Sequence, residues 1–178
     1  MGKPGDTSLA AVLLERKHVL VDKWLDQILR TYPESSVNFL STQRDPFRNP
    51  IGHTLKEGLT TILDSLIRPT DLSAMKPALD GIIRIRAVQD ISASQAVSFT
   101  FFFKQIIRAE FAAESARFPA EFAALEARID EMALLAFDLY TQCRERISEI
   151  KLNERRRMAF LTERAHLTET ANPENKAR

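Results

Sequence analysis

Residues 80–104 read DGIIRIRAVQDISASQAVSFTFFFK. Arginines alternate with isoleucines at 82–86, and phenylalanine then fills four of the five positions 99–103. Ser92 followed three residues later by Gln95 is a capping box, in which the serine oxygen and the glutamine side chain each satisfy a free amide of the other's residue. A helix therefore begins there, and the stretch is two helices meeting at Asp90-Ile91-Ser92. The first is expected over about 75–89, burying Ile82, Ile83, Ile85 and Val88. Arg84 stands four residues after Asp80, the favourable order for an exposed helical pair, whereas Arg86 and Asp90 are spaced in the reverse order. The second carries apolar residues around most of its circumference, which predicts a central helix buried on several sides and running to about 118.

Helical periodicity extends outward in both directions. Upstream, Leu9, Val12, Leu13, Val19, Leu20, Trp24, Leu25, Ile28 and Leu29 form one broad stripe that begins after Thr7 or Ser8 and stops at Tyr32-Pro33. Ser35 or Ser36 is expected to cap a short helix through Val37 and Leu40, and STQRDPFRNP at 41–50 reads as a loop. Asn49-Pro50 starts another helix, since asparagine caps free amides and proline suits the first helical position. It runs to about 67. Downstream, Pro119 opens a final helix, and no glycine or proline interrupts it before Pro173. A helix over 119–168 is about 75 Å long, against a diameter near 40 Å for a compact chain of this size, so it protrudes or breaks. TETANPENKAR at the end reads as a disordered tail.

The fold class this predicts is all-α, a bundle of about five to six helices with a long C-terminal helix. Three segments are expected: a helical sensor-type domain over 1–150, an extended signalling or coiled-coil helix over 151–168, and a tail over 169–178. The chain has 178 residues, 44% of them hydrophobic and 28% charged, with a net charge of +1, which excludes a general polyanion binder. A single cysteine, Cys143, cannot close an internal disulfide, and no apolar run approaches the length that spans a bilayer. A cytoplasmic protein without stable membrane insertion is the expectation.

Three segments carry a family resemblance: KWLDQILRTYP at 23–33, DPFRNPIGHTLKEGL at 45–59 and ALDGIIRIRAVQDISASQAVSF at 78–99. Together they resemble the N-terminal sensor domain of the RsbR/RsbRD-type co-antagonists of the bacterial stressosome. The resemblance implies an all-α, globin-like but non-haem sensory module that dimerises and passes a signal along its last helix. Members of that family usually continue into a STAS domain, and similar sensor domains precede histidine kinases. The stretch after Ile150 is too short for either, so the output is expected on a separate STAS-domain or kinase chain.

The chemistry-bearing residues are few. His53 is the best single ligand candidate, in the first turn after Asn49-Pro50. His18, His53 and His166 nevertheless lie on separate segments without metal-ligand spacing, so His53 reads as a structural or surface residue and no metal or cofactor is expected. Arg48, Arg84, Arg86 and Asp90, with Asp45, are candidates for a polar pocket taking an anionic metabolite, since guanidinium grips carboxylates bidentately; the plainer reading is helix capping and surface pairing. The phenylalanine cluster reads as core. Along the last helix, Ala136, Tyr140, Cys143, Ile147 and Ile150 repeat at heptad spacing and Leu161 continues the series. Tyr140, Cys143, Ile147, Ile150 and Leu161 are therefore the candidate dimer or partner interface, although Glu154 and Arg157 fall on the same seam. From Arg144 to Arg164 seven basic and four acidic residues interleave, which suits a solvated helix better than a phosphate-tracking face, so no nucleic acid is expected. No nucleophile elbow, phosphate loop or zinc-protease motif is present. The expected function is a stand-alone sensory interaction module of the stress-signalling type rather than an enzyme, with a small-molecule carrier, less readily a haem carrier, as the alternative.

Overall fold

The computed structural model describes residues 8–32, 49–68, 72–89 and 91–170. Among them the chain forms eight α-helices, one 3-10 turn and no strand, so it is all-α. The helices are α1 (Leu9–Glu15), α2 (Lys17–Leu29), α3 (Pro50–Ile67), α4 (Lys76–Ala87), α5 (Ala93–Val97), α6 (Phe99–Glu110), α7 (Ala112–Arg117) and α8 (Pro119–Thr170), with the 3-10 turn Leu72–Met75 ahead of α4. The short helix expected after Ser35 and most of the loop at 41–50 lie outside the described residues, as does the expected tail beyond Thr170.

Three helix starts follow the sequence signals. Ser8 accepts from the Ala11 amide at 3.3 Å, Asn49 accepts from the Gly52 amide at 2.8 Å ahead of Pro50, and Ser92 and Gln95 complete the capping box. The count exceeds five to six because two of the expected helices are interrupted, at three places in all, without glycine or proline. The first stripe breaks at Arg16 and the phenylalanine-rich helix breaks at Ser98 and Phe111. Two of these breaks meet. The Arg16 guanidinium lies over the Phe111 ring, 4.7 Å from its centroid, and bonds the Glu110 carboxylate at 2.6 Å. Lys23 holds the same carboxylate.

The chain divides into two compact units, Met1–Thr141 and Gln142–Arg178. In the first, α3 packs on both α2 and α4, and α2 packs on α6. Trp24 stands at the centre, fully buried, stacked on Phe103 at 4.5 Å and donating its indole proton to the Phe99 carbonyl at 2.7 Å. The helix that carries the phenylalanines is not buried all round: Phe99 and Phe103 are core, but Phe101 is exposed. Lys104 pairs with Asp130 at 2.8 Å, and Arg108 pairs with Glu126, which ties α6 to the first part of α8 in antiparallel sense. That part of α8 buries Phe122, Leu125, Ile129, Met132, Ala136 and Tyr140.

The second unit is the rest of α8. From Gln142 to Arg164 no side chain is buried; Cys143 and Ile147 are half-buried and the others are exposed. No helix among the described residues is long and apolar enough to cross a membrane.

Candidate functional site

Helix α4 buries Leu79, Ile82, Ile83 and Arg86. These positions repeat at three and four residues, so Arg86 lies on the apolar stripe itself. The sequence expectation placed Val88 there instead. Val88 is 72% exposed, because the helix ends at Ala87 and Val88 is only its cap. Arg86 is 1% exposed.

A buried cation is costly unless its protons find acceptors. Arg86 finds them across the junction: Nε donates to the Ala96 carbonyl at 2.8 Å and Nη2 to the Gln95 carbonyl at 2.7 Å. Nη1 makes a longer contact with Thr31 Oγ1 at 3.4 Å, and the guanidinium sits 5.9 Å from the Tyr32 ring centroid. Among the described residues it meets no carboxylate. Burial holds its pKa below the ordinary arginine value. The Gln95 and Ala96 carbonyl dipoles contribute to the compensation. The arginine acts as a clamp that fixes α4, the end of α2 and α5 to one another.

A second bond reaches the same junction. Tyr140 Oη donates to the Ile91 carbonyl at 3.2 Å. Ile91 lies between α4 and α5, next to the capping box of Ser92, and Tyr140 is in the last turn of α8 that belongs to the first unit. The junction is thus held from the α4 side by Arg86 and from the α8 side by Tyr140.

The remaining candidate residues are dispersed. His53 is exposed, with Nε2 3.0 Å from Glu57 Oε1 one turn on. Arg84 points outward and bonds Asp80 at 2.6 Å, as its spacing predicted. Arg84 and Arg86 are thus separated, one at the surface and one in the core. Arg48, Asp90 and Asp45 lie outside the described residues. Among the described residues no group of three His, Cys, Asp or Glu side chains is arranged to hold a metal ion. Along the seam, Tyr140 is buried in its own unit, Cys143 and Ile147 are half-buried, and Ile150 and Leu161 are 52% and 47% exposed.

One apolar surface was not read from the sequence. Leu134 and Phe137 are exposed on α8 at 71% and 51%. The Lys104–Asp130 and Arg108–Glu126 pairs set a register that puts the exposed Phe101 of α6 level with residue 133 of α8. In the second unit, Met158 and Phe160 flank the seam and are exposed at 63% and 62%. Periodicity marks Phe101 as core because the helix carrying it is apolar on most sides; only the tertiary register shows which side is left over.

An all-α unit closed by a helix that continues as a solvent-exposed segment is the class of protein these features define. The family model for the RsbT co-antagonist protein rsbRD N-terminal domain matches residues 18–155. The chain belongs to that family. The match ends within the exposed part of α8, so it includes both the clamped junction and the start of the terminal segment. No STAS domain is present in these 178 residues. No curated protein matches the chain, and no solved structure does.

Proposed function

We propose that this chain is a sensory and regulatory interaction module of bacterial stress signalling, which dimerises and works on an output partner carried by another chain through its C-terminal helix. The observation that carries the reading is the change in α8 at Thr141. Before it the helix buries one face in the first unit; after it the helix carries Ile150, Leu152, Met158, Phe160 and Leu161 in the open. Isolated apolar side chains on a surface need no explanation, but several along one helix in a signalling-domain family argue for a partner. The first unit is the sensing part of this reading, and the Arg86 and Tyr140 bonds connect its α4–α5 junction to the helix that leads out of it. The exposed Phe101, Leu134 and Phe137 supply a surface on which a STAS-domain or kinase output chain would dock.

The test is the dimer affinity of the full chain against an Ile150→Asp, Leu161→Asp variant, followed by sedimentation velocity over a concentration series. The variant is expected to dissociate at about tenfold lower dilution or worse, a difference of about 1.4 kcal/mol. An unchanged dimer affinity, with helicity preserved, contradicts the use of the terminal helix.

A further inference from the structure

The seam of the second unit runs through Ile147, Ile150, Glu154, Arg157, Leu161 and Arg164, alternating steps of three and four residues. If Glu154 is assigned to heptad position a, Arg157 is at d, Met158 at e and Phe160 at g. Four of the exposed apolar residues, Ile150, Met158, Phe160 and Leu161, then fall on the a, d, e and g positions that flank a helix–helix contact. A parallel pairing of two copies sets each seam residue against itself. Glu154 would face Glu154, Arg157 would face Arg157, and Arg146 at g would face Lys151 at the following e. Every one of those layers opposes like charges.

An antiparallel pairing sets a against d. With Glu154 opposite Arg157 of the second copy, and the reverse pair formed by symmetry, the two charged layers become complementary. The same register puts Ile150 opposite Leu161 on both sides of the centre, so each charged pair is bracketed by an apolar layer. It also sets residue 141 of one chain level with residue 170 of the other. The overlap therefore covers the whole of α8 in the second unit, from the boundary at Thr141 to the helix end at Thr170.

On the reading that this chain dimerises through its terminal helix, we infer that the surface covering the seam is the same segment of a second copy, running antiparallel and centred between Glu154 and Arg157. Charge complementarity at the two central layers selects this arrangement over the parallel one, the Ile150–Leu161 layers flank them, and the next layers out set Ile147 against Arg164. Arg155 and Arg156, at positions b and c, and Leu152, at f, remain on the outside of the pair, and Phe101, Leu134 and Phe137 are not used by it. Those surfaces stay free for the output chain.

The experiment is pulsed electron–electron distance measurement on the full chain with Cys143→Ser and one spin label, placed in turn at Glu145→Cys and Ala159→Cys. Both sites are exposed and occupy the outward f position. In the antiparallel pair, 145 is staggered from its own copy by about 30 Å along the axis and 159 by about 10 Å, at 1.5 Å per residue. The 145 distance is expected to exceed the 159 distance by about 15 Å. Charge substitutions give a second readout. Glu154→Arg should weaken the dimer about fivefold to tenfold, and Glu154→Arg, Arg157→Glu should restore it. Equal distances at the two labels would mean a parallel pair and overturn the orientation. A dimer by mass with no interspin distance would overturn tail pairing while leaving dimerisation intact. A monomer by mass at the labelling concentration would overturn both.

Discussion

Tyr140 donates to the Ile91 carbonyl at 3.2 Å, joining positions 49 residues apart. The bond links the last buried turn of α8 to the junction between α4 and α5, one residue from the capping box that starts α5. Arg86 closes the same junction from the opposite side through the Gln95 and Ala96 carbonyls. A rearrangement at the junction therefore alters an acceptor held by the helix that leaves the domain. That is the physical basis for reading the first unit as a sensor and α8 as its output.

Arg86→Ala removes a buried guanidinium and its bonds to the Gln95 and Ala96 carbonyls, of which the Gln95 carbonyl still accepts from Ser98 Oγ. A loss of about 3 kcal/mol is expected in urea unfolding, within the range for deleting a buried charged hydrogen-bonding group. Arg86→Lys should recover only part of it, because one ammonium cannot reproduce the planar fork that reaches both carbonyls. Full stability in the lysine variant would count against the clamp.

Tyr140→Phe keeps the ring in the core and deletes one hydrogen bond. The expected cost is about 1 kcal/mol. Hydrogen exchange should quicken first at the amides around 88–95 and in the last turn of α8 before Thr141. Exchange that changes uniformly across the domain would show that the bond has no local role.

Asn49→Ala should lower stability by about 1 kcal/mol, the usual cost of losing an N-cap. Gly52→Ala tests the same turn from the other side, since a methyl group there would meet the Asn49 side chain that caps it, within 2.8 Å of Asn49 Cγ and Oδ1. The two losses should not add in the double variant, because both act on one cap.

Acid should loosen the contacts that brace α6. The hydrogen bond from Lys23 holds the Glu110 carboxyl below the usual carboxylate range, and that from Arg108 does the same for Glu126. A carboxylate whose folded pKa is depressed contributes stability that is present above its unfolded value, near 4.3. That contribution is lost as pH falls through the lower folded value. Glu126→Gln should therefore be less stable than the native chain at neutral pH and approach it as pH falls below about 4. Both pairs are solvated, so high salt should shrink the difference. A gap that persists unchanged at acid pH would contradict the assignment.

The helix starts were legible because Ser8, Asn49-Pro50 and Ser92…Gln95 are local signals, each satisfied within a single turn. The breaks at Arg16, Ser98 and Phe111 were not, because none involves glycine or proline. The breaks at Arg16 and Phe111 are linked by a long-range contact, Arg16 over Phe111 and onto Glu110. Arg86 was read as a surface or pocket residue because a charge within an apolar stripe is ordinarily assigned outward. Its spacing of seven from Leu79 and of four from Ile82 was the available signal. The seam from Ile147 to Leu161 was legible as a heptad. Its two charges would weaken a parallel coiled coil and would find complementary partners in the antiparallel pair proposed above.

Native mass spectrometry of protein taken from its own host reports directly what the full chain associates with. The predicted result is a species of about twice 20.2 kDa with no additional bound mass. A monomer at micromolar concentration, or a protomer carrying a stoichiometric small molecule, would contradict the interaction module and favour a carrier.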